Sequence, residues 1–473
     1  MRRFLSSASL LGLAAAGLLT GCPDRTISQV TPEQGRVEYK DIPVTVNRNV
    51  DILFVIDDSP SMADKQANLA KNFPEFINVL NTIQGGLPDV HIGVVTSDVG
   101  SKGTQDSSPG PSIGSIGNGG CSGEGKKGEL QTSGAPLMTG QKFISDIKLS
   151  DGTRQQNYTG ALTDVFSTMA KVGAGGCGFE MHLEAMKRAL NNNPVNAGFL
   201  RPDAYLAVIF IADEDDCTIA HSTMLGPESP ALGPLTSFRC TRFGITCDQN
   251  GTTSDAMNQV GTKGQCHSNE SSQYLEKVKT YVDFLKALKS DPSKVIVAGI
   301  MGTTEPFQVE LRSSGGGPNT QALAHSCSYQ GATNVEVADP PTRIKFLLDQ
   351  FPNRSTFTTI CQQNLQDGLI LIAQLLKSVI GDPCINGKLA DPIDCSVSDV
   401  SNFGKPNQSE KVLAQCDTGL TNKPCWHVIK DAAACPTDPT TGANPDNYVL
   451  KIERNETAPP ETHVISYCVT QVQ

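Results

Sequence analysis

The sequence is poor in charged and aromatic residues, and these deficits limit what the protein can bind. Charged residues make up 18% and aromatic residues 5% of its 473 residues, with a single tryptophan. The formal net charge is −11 and no cluster of lysine and arginine occurs. We therefore expect no nucleic-acid partner, because an acidic surface repels phosphates. Glycine (44) and proline (29) are frequent instead, which favours a loop-rich, exported protein.

The sequence also lacks the motifs of several common chemistries. No C-x-x-C pair occurs and the seven histidines are scattered singly, so structural zinc and thioredoxin-like redox chemistry are not expected. No glycine-rich phosphate loop with a lysine is present, and no motif pairs a nucleophile with a base. After residue 22 no apolar run approaches the ~18 residues of a membrane-spanning helix. We therefore predict a protein that is not an enzyme and whose mature chain does not span a membrane.

The N-terminal 22 residues have the pattern of an export signal. Positive charge at residues 2–3 precedes an apolar run, residues 10–19, that is too short to cross a bilayer. The run ends in the letters LTGC, residues 19–22, which resemble the lipobox of bacterial lipoproteins. The resemblance implies that residues 1–21 are a signal peptide and that Cys22 carries lipid. Such a lipoprotein is anchored in the bacterial cell envelope, at the outer membrane or the cell surface. The alternative is an ordinary secretory signal with a cysteine there by chance.

Cysteine is abundant, with 15 residues in the chain. Removing Cys22 from these 15 leaves 14, an even number that is consistent with up to seven disulfides formed in an oxidising compartment. Proximity in sequence suggests the pairs Cys247–Cys266 and Cys435–Cys468.

Four apolar runs of strand length alternate with segments of helical periodicity. A continuous apolar run is typical of a parallel strand that is buried on both faces. A last helix is predicted over residues 365–380. The order of these elements predicts an α/β fold with a doubly wound, mostly parallel sheet covered by helices on both faces. The four runs are Ile52–Ile56, His91–Thr96, Tyr205–Ala212 and Lys294–Met301.

Changes in composition divide the rest of the chain into three parts. A polar tether, residues 22–48, precedes the α/β domain, residues 49–381, which two cysteine-containing insertions interrupt at about 100–158 and 214–270. Residues 382–473 contain six cysteines and short alternating runs, which predict a small, disulfide-rich β module. We expect these cysteines to pair among themselves. We also expect the module to pack at the end of the sheet opposite to the strands' carboxyl ends.

Oxygen-bearing side chains follow two of the apolar runs. Asp57, Ser59 and Ser61 come directly after the first run, and Asp213 follows the third. Because the carboxyl ends of parallel strands meet at one edge of a sheet, we expect these side chains to converge. Oxygen ligands of this kind suit a hard divalent cation, Mg²⁺, Ca²⁺ or Mn²⁺. The alternative is that the aspartates only end their strands and that a serine caps the next helix.

The stretch DILFVIDDSPSM, residues 51–62, resembles the first strand of the von Willebrand factor type A (vWA) domain and its Asp-x-Ser-x-Ser motif. The resemblance covers about residues 49–381 and implies a vWA, Rossmann-like fold for them. It further implies that the three motif side chains belong to a metal-ion-dependent adhesion site. Asp213 matches the aspartate that follows the fourth strand in that family.

One position departs from the pattern of the vWA family. Counted back from the following helix, the family's metal-site threonine falls on Glu180. Glu180 is either a first-turn glutamate that complements a helix N-terminus, or a carboxylate that replaces the threonine at the metal. An added carboxylate would raise the affinity for a cation and favour Ca²⁺. Cys177 lies just before this loop, and a disulfide to Cys121 would hold the first insertion beside the site.

Further carboxylates follow the same strands and form an acidic rim. Asp58, Glu214, Asp215 and Asp216 are either solvated loop residues without a partner or a second cation site beside the first. Residues 213–215 also have the Asp-x-Asp form of metal-dependent glycosyltransferases, which keeps a transferase as an alternative function.

The vWA resemblance implies a binding function instead. In this hypothesis the protein is a lipid-anchored envelope protein in which a partner protein's Asp or Glu carboxylate takes an open position on the divalent cation. A third hypothesis is a structural envelope protein in which the metal only stabilises the fold.

Overall fold

The computed structural model describes most of the chain after residue 34. The predicted signal peptide, the predicted lipidation site Cys22 and residues 22–34 of the predicted tether lie outside the described residues. The described residues are 35–43, 47–83, 86–313, 317–332, 334–381, 383–403, 405–432, 435, 437, 442–456, 458–459 and 462–471.

The described residues form 19 β-strands and eight α-helices. The strands are β1 (Gly35–Pro43), β2 (Asn49–Ile56), β3 (Asp89–Thr96), β4 (Ile144–Lys148), β5 (Arg154–Gln156), β6 (Tyr205–Ile211), β7 (Ile245–Gln249), β8 (Gly261–Ser268), β9 (Val295–Met301), β10 (Phe307–Ser313), β11 (Asn319–Leu323), β12 (Cys327–Gln330), β13 (Val335–Ala338), β14 (Ser355–Thr359), β15 (Cys395–Ser401), β16 (Ser409–Gln415), β17 (Cys425–Lys430), β18 (Tyr448–Glu453) and β19 (Thr462–Gln471). The helices are α1 (Ala63–Asn81), α2 (Leu162–Met169), α3 (His182–Leu190), α4 (Phe238–Gly244), α5 (Ser254–Met257), α6 (Val278–Ala287), α7 (Thr342–Asp349) and α8 (Gln366–Gly381).

A seven-stranded sheet with the order β14-β9-β6-β2-β3-β4-β5 forms the centre of the molecule. The first five strands in that order run parallel, whereas β4 and β5 pair antiparallel with their neighbours. The predicted α/β class is confirmed, and the four apolar runs form β2, β3, β6 and β9. The sheet is mixed because part of the predicted insertion 100–158 adds an antiparallel edge. These two edge strands are short and partly exposed, so no continuous apolar run marks them in the sequence.

Alternate side chains of the central strand β2 point to opposite faces of the sheet. Ile52 and Phe54 pack in a core with α1, α2 and α8. Leu53 and Val55 pack in a second core with α3, α6 and α7. Helices therefore cover both faces, as the continuous apolar run of this strand predicts.

The predicted insertion 214–270 contains more regular structure than its composition indicates. Its strands β7 and β8 join β10 and β11 in a four-stranded sheet with the order β11-β10-β8-β7. This sheet has a small core of its own, which includes Phe238 and Phe307. The disulfides Cys217–Cys240 and Cys247–Cys266 lie in this part of the chain, and the second was predicted. Strands β12 and β13 form a separate antiparallel pair.

A six-stranded sheet with the order β1-β19-β15-β16-β17-β18 joins the N-terminal and C-terminal parts of the described chain. Its strands β17, β18 and β19 contain the alternating runs that predicted a β module. Strand β1 lies within the predicted tether, residues 22–48, yet it pairs with β19 over its full length, from Gly35↔Gln471 to Pro43↔His463. The polar composition of residues 22–48 predicted a tether. Asp41 of β1 is nevertheless buried, because it pairs with two buried side chains, Arg354 and His463.

All six cysteines of the C-terminal module pair with one another, as predicted. The predicted pair Cys435–Cys468 is wrong, because the antiparallel register of β15 and β19 places Cys395 directly opposite Cys468. The observed disulfides are Cys384–Cys435, Cys395–Cys468 and Cys416–Cys425.

The six-stranded sheet contacts the α/β domain near the amino ends of β9 and β14. Arg354, directly before β14, donates a hydrogen bond to Asp41 of β1. His463 of β19 lies 2.6 Å from Asp41 and 3.6 Å from Asp291, which precedes β9. The predicted metal-site residues follow the carboxyl ends of the parallel strands, so the module contacts the opposite end of the sheet, as predicted.

Candidate functional site

Two aspartates of the predicted site follow neighbouring parallel strands. Asp57 comes after β2 and Asp213 after β6, and the backbone amide of Asp57 donates to the carbonyl of Ile211 at 2.9 Å. The two residues are only 0% and 3% exposed. Burial, followed by the charge of Asp57, raises the pKa of Asp213 to about 6. The sheet therefore holds two carboxylates close together, away from solvent.

Two serines connect these aspartates. The backbone amide of Ser59 donates to Asp57 Oδ1 at 2.8 Å, and the hydroxyl oxygens of Ser59 and Ser61 are 3.2 Å apart. A hydrogen bond from Ser61 is among the contacts that lower the pKa of Asp213. Ser59 makes no capping hydrogen bond to the short 3₁₀ turn that follows it. All four side chains of the predicted motif thus lie in one connected group.

Each aspartate has one oxygen that accepts no hydrogen bond from the described residues. Among the described residues, Asp57 Oδ2 and Asp213 Oδ1 are buried and accept no hydrogen bond. Buried polar atoms are normally satisfied, and a buried carboxylate oxygen without a donor is costly. A positively charged group or a hydrogen-bond donor beside these two oxygens would therefore stabilise the pair.

Lys65, which the sequence did not indicate as a site residue, supplies one positive charge beside Asp213. Its ammonium nitrogen lies 3.0 Å from Asp213 Oδ2, 2.8 Å from Glu336 Oε2 and 3.1 Å from the carbonyl oxygen of Ser61. Burial lowers the pKa of Lys65, but the charges and hydrogen bonds of Asp213 and Glu336 outweigh it and the pKa lies above its ordinary value. Lys65 lies eight residues after Asp57, in the first turn of α1. This spacing gives no sequence signal for a contact with the site.

His182 is the second site residue that the sequence did not indicate. It is fully buried, and its Nε2 lies 3.8 Å from Asp57 Oδ2. Burial raises the pKa of Asp57, but the neighbouring His182 outweighs it and the pKa lies below its ordinary value. Burial lowers the pKa of His182, whereas Asp57 raises it, and the net direction is upward. A single histidine on a helix carries no sequence signal for such a contact.

The first insertion reaches the site through Asp58. This side chain is fully buried, and Lys126 of the insertion approaches its Oδ2 at 2.5 Å. Burial raises the pKa of Asp58 to about 6 although Lys126 opposes the shift. The predicted disulfide Cys121–Cys177 is present and ties the same insertion to the loop before α3.

Glu180 lies in that loop, directly before α3. Its side chain is 2% exposed, and its carbonyl accepts from the backbone amide of Cys217 at 2.6 Å. Burial, then the charges of Glu214 and Asp57, raise its pKa well above the ordinary value. Within the part of the chain that the structure describes, no group of three or more His, Cys, Asp or Glu is placed to hold one metal ion. A role for Glu180 as a third carboxylate on the same ion stays a prediction.

The rest of the predicted acidic rim is not a solvated loop. Asp215 accepts hydrogen bonds from the backbone amides of Arg343 and Ile344, at 2.8 and 3.1 Å, at the start of α7. Asp216 is fully buried and lies 3.2 Å from the Arg343 guanidinium. These two carboxylates hold α7 and the second insertion in place, which explains the burial of Asp216 and the partial burial of Asp215.

The fold and site together define an α/β protein with a buried acidic group at the carboxyl ends of its parallel strands. No protein-family model matches the sequence, and no curated protein sequence matches it. Its solved structural neighbours include a von Willebrand factor type A protein from Catenulispora acidiphila, with 11% identity and a TM-score of 0.27, covering 94% of this chain and 67% of that one.

Two pilus adhesins are also among these neighbours. SpaC from Lactobacillus rhamnosus GG has 10% identity and a TM-score of 0.32, and RrgA from Streptococcus pneumoniae has 11% identity and a TM-score of 0.28. The matches cover 92% and 93% of this chain but only 41% and 58% of the two adhesins. Similarities this low do not establish membership of a family.

Two features of the structure concern the cellular compartment of the protein, namely its disulfides and the length and polarity of its helices. The described residues contain seven disulfides, a number typical of proteins from oxidising, extracytoplasmic compartments. No helix of the described ranges has both the length and the apolar character needed to cross a bilayer.

Proposed function

We propose that the protein is an extracellular binding protein that holds a divalent cation through Asp57, Ser59, Ser61 and Asp213. One observation supports this above the others. Two buried carboxylate oxygens, Asp57 Oδ2 and Asp213 Oδ1, accept no hydrogen bond from the described residues. The carboxylates to which these oxygens belong lie beside the side chains of Ser59 and Ser61.

The donor set fits a hard cation. Its four side chains offer only oxygen atoms, which are the ligands that Mg²⁺, Ca²⁺ and Mn²⁺ prefer. The ammonium group of Lys65 already lies beside Asp213, which shows that this carboxylate attracts positive charge, and a bound metal would have to share Asp213 with it. A bound divalent cation would supply a coordination position for a carboxylate of another protein.

Burial and a neighbouring histidine favour a cation at this position. Burial of Asp57 and Asp213 excludes water from most of their surroundings, which strengthens the attraction of each for a cation. His182 lies beside Asp57 and favours its charged form. A partner's Asp or Glu would otherwise be repelled by a protein of net charge −11, so its recognition requires the cation.

The proposal includes a lipid anchor at Cys22 and a place in the bacterial cell envelope, at the outer membrane or cell surface. Its support is the LTGC sequence, residues 19–22, and the disulfide content of the described residues. We propose no enzymatic activity. Of the transferase-like cluster, residues 213–215, Asp215 is occupied by the backbone of α7, which leaves it unsuited to hold a nucleotide-bound metal.

A chelator-controlled pull-down from envelope extract tests the binding function. The wild-type protein should capture a partner in Mg²⁺ or Ca²⁺ and release it in chelator. Asp57→Asn should capture none, because it removes a charge from the site at nearly constant size. Asp151→Asn, at an exposed aspartate far along the chain, serves as the matched control.

Two other results would contradict the proposal in different ways. Capture that is equal with and without chelator would show that binding does not use a metal. A metal that raises the melting temperature of the wild type but changes no partner's capture would favour the purely structural role.

A further inference from the structure

A cavity of about 200 Å³ lies between the α/β domain and the four-stranded sheet of the second insertion. On the domain side it is lined by Glu180 and Glu214. On the insertion side it is lined by apolar side chains, Phe238 and Leu323, and by the polar side chain of Gln321. The cavity therefore has an acidic wall that faces a mixed, partly apolar wall.

Most charged groups of this cavity already have partners. Asp215 accepts from the amino end of α7, and Asp216 is paired with Arg343. A third carboxylate, Asp339, lies 2.7 Å from His325 Nδ1. These three carboxylates need nothing from a ligand.

Two carboxylates of the lining have no such partner. Neither Glu180 nor Glu214 makes a side-chain hydrogen bond or ion pair to another residue in the described ranges, and Glu180 is 2% exposed. Arg312 lines the same cavity, but it donates to Glu310 at 2.9 Å and to the carbonyl of Leu323 at 2.7 Å. No side chain of the described lining makes a hydrogen bond or an ion pair with either glutamate, although the charge of Arg312 lowers the pKa of Glu214 against the larger, raising effect of burial.

A single metal ion does not fit the cavity. The described residues place no three carboxylate, histidine or cysteine side chains around one ion, and the volume is several times that of one bound cation. An organic cation has the required size, because one polar head can reach both glutamates while its carbon chain contacts the apolar wall.

We propose that this cavity binds an organic cation, a primary ammonium or guanidinium group, between Glu180 and Glu214, with its aliphatic stem against Phe238 and Leu323. The proposed cation position uses neither Asp57 nor Asp213, and of the predicted metal ligands it includes only Glu180. The cation is either a free amine or the side chain of a lysine or arginine in a polypeptide.

Calorimetric titration of the full chain in the presence of chelator tests this proposal. The probes are butylamine and butylguanidine, with butan-1-ol as the uncharged probe of the same length. We expect the cations to bind about tenfold or more tightly than the alcohol, as one charge-assisted hydrogen bond contributes. Equal binding of cation and alcohol to the wild type would overturn the proposal and requires no variant.

Two variants locate the binding. Glu180→Gln and Glu214→Gln should each weaken butylamine binding by about tenfold. Glu228→Gln, an exposed glutamate of the same insertion outside the lining, should leave it unchanged. A loss of equal size in Glu228→Gln would show that only the overall charge of the protein acts, and would overturn the assignment to this cavity.

A peptide arm distinguishes the two sources of the cation. A tripeptide with blocked ends and a central lysine is compared with its norleucine counterpart and with butylamine. Tighter binding of the lysine peptide than of butylamine would identify a polypeptide side chain as the ligand. Binding of butylamine with exclusion of the peptide would identify a small free amine. These titrations contain no divalent cation, so their failure would leave the proposed metal function unaffected.

Discussion

Lys65 decides the balance of charge at the candidate metal site. Its ammonium lies between Asp213 and Glu336, on two different elements, and 1% of its side chain is exposed. A divalent cation at Asp213 would share the carboxylate with this ammonium and would be repelled by it. Lys65 therefore both stabilises the metal-free protein and competes with the metal.

Replacing Lys65 with methionine should separate these two effects. Lys65→Met leaves Asp213 and Glu336 buried without their cation, and loss of one partner of a buried pair costs about 3–5 kcal/mol of unfolding free energy. Addition of Mg²⁺ or Ca²⁺ should restore more stability to the variant than it adds to the wild type. Thermal unfolding with and without metal measures both changes. Lys71→Met, at an exposed lysine of the same helix, is the control and should lose less than ~1 kcal/mol.

Four side chains of this group were predicted from the sequence, and three were not. Asp57, Ser59, Ser61 and Asp213 follow apolar strands directly, so their position in the sequence determines their position at the edge of the sheet. Lys65 and His182 contact the same group from helices, and Glu336 from a strand more than 250 residues later. Such contacts depend on how elements pack against each other, and no local pattern records them.

At the scale of elements, we expect the polar contact between the six-stranded sheet and the α/β domain to depend on pH. Burial lowers the pKa of His463, but Asp291 and Asp41 outweigh it and raise the pKa above its ordinary value. Burial raises the pKa of Asp291, but His463 and Ser293 outweigh it and hold that pKa at about 2. The histidine therefore stabilises the contact while it is charged. Its contribution is complete below the unfolded pKa of histidine and is lost as the pH rises through the folded pKa.

His463→Gln should remove this part of the pH dependence. The wild type should exceed the variant in unfolding free energy by about 1–3 kcal/mol at pH 6, the contribution of a hydrogen bond to a charged group. The difference should shrink toward pH 9, as the histidine loses its charge. Chemical denaturation at both pH values measures it. A difference that stays constant from pH 6 to pH 9 would show that His463 acts only by packing.

A second element-scale prediction concerns the disulfide that holds the first insertion at the site. Cys121 and Cys177 are 56 residues apart in sequence, whereas Cys416 and Cys425 are nine residues apart. Because a longer closed loop restricts the unfolded chain more, replacing the first pair with serines should lower the unfolding free energy by about 2–4 kcal/mol. The same change in the second pair should cost less. Denaturant titration of the two double variants compares them, and an equal cost would contradict the loop-length argument.

Strand prediction succeeded where an element has a local signature. Continuous apolar runs identified β2, β3, β6 and β9, and alternating runs identified β17, β18 and β19. Strands β1, β4 and β5 were not predicted, because they are edge strands or short strands with mixed polarity. The pairing of β1 and β4 depends on partners that are distant in sequence, because 418 residues lie between β1 and β19, and 47 residues lie between β3 and β4. Strand β5 pairs with β4 after a connection of five residues, but it is only three residues long.

For the whole molecule, the pairing of β1 with β19 makes the six-stranded sheet depend on both ends of the described chain. Removing residues 35–43 should expose the edge of β19 and remove Asp41 from its contacts with Arg354 and His463. We expect a lower melting temperature and faster proteolysis within residues 383–471. Loss of residues 107–109, which are exposed, should have a smaller effect. An unchanged protease pattern would show that the C-terminal module folds without β1.

The same arrangement determines how the molecule would carry a mechanical load. Strands β1 and β2 are consecutive in the chain, and Asp57 directly follows β2, so a pull between the start of β1 and a ligand at Asp57 would be carried along the backbone of residues 35–57. Strand β2 is hydrogen-bonded to β3 from Asn49↔Asp89 to Ile56↔Thr96, and to β6 along its other edge. Such a force puts the backbone of these residues under tension and does not have to separate β2 from β3 or from β6. The protein would therefore resist extension through a high barrier to forced unfolding, and rupture would be expected at the bound ligand before the sheet yields.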